Sequence, residues 1–65
     1  MNLERINIIS IVHLNGIYIS NDDIDELVRK FKPDERRSVN IYPFILEHTN
    51  DFIDFVAEEL SLRDA

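Results

Sequence analysis

Ser20 to Ile45 constrains the fold of this chain more than any other stretch. It reads S-N-D-D-I-D-E-L-V-R-K-F-K-P-D-E-R-R-S-V-N-I-Y-P-F-I. Every local signal in its first half agrees on a short helix over 21–31. Ser20 is the expected N-cap, and Asp23, three residues on, completes a capping box. Asp22 and Asp23 sit at the positive end of the helix dipole, Arg29 and Lys30 at the negative end. Asp25–Arg29 and Glu26–Lys30 are acid-before-base pairs one turn apart. Ile24, Leu27, Val28 and Phe31 make one apolar face, and Pro33 marks the end. A polar segment follows over 32–38, then Val39-Asn40-Ile41 as a short extended segment. Tyr42 precedes a proline and is pushed towards extended backbone too. Pro43 suits the first turn of a new helix, where its missing N–H costs nothing.

The flanks read less sharply. Residues 3–14 hold Leu3, Ile6, Ile8, Ile9, Ile11, Val12 and Leu14. Leu3, Ile6, Ile9 or Ser10, and His13 share one helical face, which Ile8, Ile11 and Val12 broaden. So many β-branched residues also suit a strand, and Asn15-Gly16 before Ile17-Tyr18-Ile19 would then be a hairpin turn. The preferred reading is a helix ending at Asn15, with Gly16 as its left-handed cap. Beyond Pro43, Phe44, Ile45, His48, Phe52, Phe55, Val56 and Leu60 recur at mostly helical spacing. Thr49-Asn50 divides this run into two helices, with Asn50 as an N-cap before Asp51, and Leu62 to Ala65 are expected to fray.

Length and composition narrow the class. The chain has 65 residues, one small domain over 1–65 with a small core. Its apolar fraction of 45% is enough for that core and speaks against disorder. With no cysteine, neither disulfides nor thiolate zinc can add stability. No apolar run reaches the length of a membrane span, and no export signal is visible, so a cytoplasmic protein without membrane association is expected. The net charge of −6 disfavours nucleic acid and favours a basic partner. Its distribution is uneven. Residues 21–28 carry four acids and no base, 29–37 carry five bases against two acids, and 47–65 carry six acids and only Arg63. Most of these charges are read as solvated helix faces.

In order and spacing, Ser20–Ile45 resembles the last EF-hand of calmodulin-like proteins. The match rests on the capped acidic start, the apolar spacing of Ile24, Leu27 and Val28, Val39 inside the loop, and Phe44 just after it. The twelve-residue loop would be Lys32 to Pro43. Upstream, L-N-G-I-Y-I-S looks like the linker after the exiting helix of a preceding hand. The resemblance implies a mostly α fold: a small EF-hand-like lobe of three to four helices with a short extended ribbon. It does not carry the metal chemistry with it. The ligand places of such a loop hold Lys32, Asp34, Arg36, Ser38, Asn40 and Pro43, with Arg37 where the turn glycine belongs. Proline supplies no carboxylate, and Lys32 and Arg36 repel a cation, so no metal and no other cofactor is expected.

EF-hand lobes without metal, such as those of myosin light chains, grip basic amphipathic helices of the IQ type. The resemblance therefore implies calcium-independent binding of such a helix, a myosin heavy-chain IQ motif being one example. An acidic lobe with an apolar groove suits that partner. The groove candidates are Ile11, Val12, Ile24, Leu27, Val28, Phe31, Phe44, Phe52 and Phe55. For any one of them, a place in an ordinary core is the plainer reading. With Met1 the only methionine, a dedicated partner is expected rather than a promiscuous groove.

Two other classes compete. A winged-helix DNA binder also opens with a helix, a short extended stretch and a capped helix, and the basic cluster from Arg29 to Arg37 would face phosphates. Against it stand the net charge and Pro43, which interrupts the recognition helix expected near 34–42. A small acidic inhibitor or antitoxin-like protein has the same composition as the light-chain reading. Enzymatic activity is not expected. His13 and His48 lack partners at triad or metal-ligand spacing, and the neighbouring acids Asp22-Asp23 and Glu58-Glu59 diverge by about 100° on a helix.

Overall fold

The computed structural model describes residues 3–31 and 41–64, and the side chains of all of these but Asp64. Four helices make up the described chain: α1 over Leu3–Leu14, α2 over Asn21–Lys30, α3 over Ile41–Glu47 and α4 over Thr49–Asp64. No strand occurs among the described residues. The small, mostly helical lobe expected from the sequence is what forms. The polar segment 32–38 and Val39-Asn40, half of the expected ribbon, lie outside the described residues.

Residues 3–16 form the helix with the left-handed cap, not the hairpin. Gly16 has φ of 80°. The Ile17 N–H donates to the Val12 carbonyl at 3.2 Å and the Gly16 N–H to the His13 carbonyl at 2.9 Å, the paired bonds of a Schellman cap. The Asn15 side chain adds a bond to the Ile11 carbonyl at 2.8 Å. These bonds satisfy carbonyls that the end of the helix would otherwise leave open. No atom would meet a Cβ at Gly16 within 4 Å, so the need for glycine is set by backbone conformation alone. Gly16→Ala should cost about 1 kcal/mol from the left-handed φ. A urea titration measures it, and an unchanged midpoint would mean that the cap can relax to ordinary φ.

α2 forms as its sequence dictates. Ser20 is extended (φ −75°, ψ 164°) and its Oγ accepts the Asp23 N–H at 3.2 Å. That bond satisfies one of the open donors of the first turn and is worth about 1 kcal/mol. Ile24, Leu27 and Val28 are buried, and Phe31 closes the helix with its N–H on the Leu27 carbonyl at 3.0 Å.

Four details differ from expectation. The inward face of α1 is Ile8 and Val12; Leu3, Ile6 and Ser10, assigned by spacing to one face with His13, point outward. Because α1 is apolar nearly all round, only its neighbours decide which side is buried. Ile41 and Tyr42, expected to be extended, are the first residues of α3, with Pro43 third. Pro43 is still within the first turn, so its missing N–H breaks no helical bond. The joint between α3 and α4 is His48, and α4 starts at Thr49 rather than after Asn50. Finally, Leu62 to Asp64 are helical rather than frayed, because Arg63 is tied to α2.

One core joins the helices. It comprises Ile8 and Val12 of α1, Ile24, Leu27 and Val28 of α2, Phe31, Ile41 and Ile45 of α3, and Phe52 and Val56 of α4. No polar or charged side chain is buried among the described residues, so none of the core's stability is offset by burying polar groups.

Candidate partner-binding face

The four phenylalanines of the chain converge on one place. The Phe31 ring lies edge-on to Phe52 at 5.1 Å between centroids, and tilted against Phe55 at 5.4 Å and Phe44 at 6.3 Å. Phe31 and Phe52 are buried, whereas Phe44 and Phe55 are only partly so. The cluster therefore has a sealed centre and an open rim. His48 extends the rim: its ring stacks on Phe44 at 4.3 Å. Its Nδ1 lies 2.9 Å from the Phe44 carbonyl. A carbonyl only accepts, so the proton of that bond sits on Nδ1.

Carboxylates border the rim. On α4, Asp51, Glu58 and Glu59 lie one turn from Phe55, and on α3 Glu47 lies one turn from Phe44. Of these, Glu59 lies 3.9 Å from Lys30 Nζ, while Glu47, Asp51 and Glu58 are exposed.

The nine groove candidates divide sharply. Val12, Ile24, Leu27, Val28, Phe31 and Phe52 are core residues of the closed structure. Ile11, Phe44 and Phe55 are partly exposed. Ile11 lines a narrow apolar crevice with Ile8, Ile45, Thr49 and Phe52. The hydrophobic spacing identifies both sets alike, because helical periodicity records which residues face inward and not which of them lie at the edge. The loop positions Lys32, Asp34, Arg36, Arg37, Ser38 and Asn40 lie outside the described residues, and Pro43 is within α3.

Two features of the polar surface emerge only from the tertiary structure. Arg63, the lone base of the acidic C-terminal part, binds two carboxylates of α2. Its Nη1 is 3.1 Å from Asp23 Oδ1 and its Nη2 is 3.2 Å from Glu26 Oε2. Asp23 thus gives its N–H to the Ser20 cap and its carboxylate to α4. Glu26 also forms the expected pair with Lys30, at 3.3 Å.

Asp25 turns to α1 rather than to Arg29. Arg5 Nε donates to its Oδ1 at 2.8 Å and Nη2 to its Oδ2 at 3.2 Å, a two-pronged contact between α1 and α2. The hydrogen bonds from Arg5 hold the Asp25 carboxyl below the usual carboxylate range, against the opposing effect of desolvation; the charges of Arg5 and Arg29 add to the lowering. A depressed folded pKa stabilises the fold above the unfolded value of about 4, and that contribution is lost as pH falls through the lower folded value. Arg5→Gln should therefore weaken the protein at neutral pH, by an amount that shrinks as pH falls below about 4 and through the lower folded value, where Asp25 takes up its proton in both states. Denaturant titrations of both proteins across that range test this; a difference that persists in acid would assign the effect of Arg5 to packing.

No family model matches the chain, and neither a curated protein nor a solved structure matches it. What the fold defines is a class: a small four-helix lobe with an apolar core, a partly open aromatic rim and carboxylates around that rim. Among the described residues no helix is long and apolar enough to cross a membrane. No group of three His, Cys, Asp or Glu converges among them to hold a metal ion.

Proposed function

We propose that this protein is a calcium-independent binding module that grips a basic amphipathic helix of the IQ type, in the manner of a metal-free light-chain lobe. The observation that carries the reading is the rim of Phe44 and Phe55 with Glu47, Asp51 and Glu58 exposed beside it. Half-buried aromatic rings supply much contact area at low entropic cost, and surrounding carboxylates select a partner with lysine or arginine on its flanks. The net charge of −6 adds long-range attraction to such a helix.

The order helix α2, intervening segment and helix α3 is compatible with the helix-loop-helix of the resemblance. A partner contacting only Ile11, Phe44 and Phe55 would sit on the closed lobe. One reaching Phe31 or Phe52 would have to part α4 from the rest, since both are core residues.

Isothermal calorimetry with a basic IQ-type peptide, with and without calcium, tests the proposal. The expected result is micromolar-range binding, about −8 kcal/mol, unchanged by calcium and with a negative heat-capacity change from apolar burial. No heat at concentrations where the protein is folded would remove this reading. Salt-dependent binding to duplex DNA would favour the winged-helix alternative instead.

A further inference from the structure

The joint between α3 and α4 is a single residue, His48. The sequence signals a break nearby only through the N-cap residues Thr49-Asn50, one or two positions further on. From Phe44 to Phe52 the chain reads F-I-L-E-H-T-N-D-F, without glycine or proline. In an unbroken helix the His48 N–H would donate to the Phe44 carbonyl, four residues back. Here it donates to the Ile45 carbonyl at 3.0 Å, and the imidazole Nδ1 takes the Phe44 carbonyl in its place. The His48 carbonyl meanwhile accepts the Phe52 N–H at 3.0 Å, which starts α4. One side chain therefore does the work of the backbone at the bend, and its stacking on Phe44 holds it there.

We infer that His48 is a hinge, and that the face of α1–α3 now covered by the chain's own α4 also accepts α4 of a second copy, with α3 and α4 joined into one helix. The exchange remakes the contacts of α4 with the core and with α2. Phe52 and Val56 would enter the other copy's core, Glu59 would meet its Lys30, and Arg63 would meet its Asp23 and Glu26. Because both forms share these contacts, they differ by the conformation of the joint and the entropy of association. That is the condition under which short joints allow identical elements to swap. Straightening trades the side-chain bond of His48 for a backbone bond, so the joint itself offers little resistance. The proposal does not depend on the partner-helix reading.

The ion pairs of Arg63 make the exchange testable with full-length chains. One variant carries Arg63→Glu; the other carries Asp23→Arg with Glu26→Arg. Each alone places like charges between its own α2 and α4. In a swapped pair, the α4 of each variant faces the complementary α2 of the other. Mixed after joint unfolding and refolding, the two should give a heterodimer, seen by light scattering, about tenfold more abundant than any dimer of either alone. Circular dichroism confirms that each variant is helical by itself.

A second pair of variants addresses the hinge. His48→Ala removes the side-chain bond and should raise the dimer fraction of the otherwise unchanged protein. Thr49→Pro should abolish it: proline is accepted at the first position of α4 but not inside one continuous helix. Monomers only, in the complementary mixture and in His48→Ala, would overturn the proposal. So would a dimer that is insensitive to both the charge pairing and Thr49→Pro, because such a dimer would use another face.

Discussion

Replacing Phe31 with alanine should unfold this protein at room temperature. Phe31 is 3% exposed and touches all three other phenylalanine rings, drawing α2, α3 and α4 to one point. Removing a buried phenylalanine side chain costs about 3–5 kcal/mol, the lost transfer energy plus the cavity left behind. A single core in a chain of this size rarely supplies more than about that amount in total. Phe31→Leu separates the two causes: it keeps most of the volume and loses the ring contacts, so about 1.5 kcal/mol should go and the fold should remain. Helical circular dichroism against urea measures both. A folded Phe31→Ala would mean that Phe44, Phe52 and Phe55 close over the gap without it.

The second large effect concerns binding rather than folding. Phe44→Asp and Phe55→Asp should each weaken the basic peptide about 100-fold, the loss expected when a central aromatic contact is removed from an interface. Both side chains are only partly buried, so both variants should retain their helices. Phe31→Asp is not a usable probe of the same face, because a carboxylate in the core would unfold the chain before binding could be read. Calorimetry on the two rim variants, with their dichroism alongside, is therefore decisive. If both stay folded and bind the peptide normally, the rim is not the site.

The sequence and the structure agree where the information is local. The N-cap at Ser20, the apolar face Ile24, Leu27, Val28 and Phe31, and the left-handed Gly16 all rest on a few consecutive residues and their intrinsic geometry. The phenylalanines were legible as apolar, and their spacing marked them as inward-facing. That Phe44 and Phe55 lie at the rim while Phe31 and Phe52 lie at its centre was not legible, since that depends on how α4 crosses α2 and α3. The charges show the same limit. Glu26–Lys30 follows from helical spacing, but Asp25 had two bases within reach of its side chain and took Arg5, twenty residues back in sequence.

By itself the sequence determined that most of the chain is helical, where α2 begins and ends, and that a small apolar core would form under an acidic surface; for residues 3–19 it favoured a helix ending before Gly16 and left the hairpin open, and it read Ile41-Tyr42 as extended where α3 begins. These follow from propensity, capping and periodicity, which act over one or two turns of helix. Only the tertiary structure decided which side of α1 is buried, that the bend between α3 and α4 falls on His48, and that Arg63 bridges α4 to α2. Each of these choices was locally close to balanced: α1 is apolar on nearly every side, the Thr49-Asn50 signal between Phe44 and Phe52 involves neither glycine nor proline and lies just past the observed bend, and Arg63 had no acid one turn before it except Glu59. Packing and charge pairing between distant segments supplied the difference.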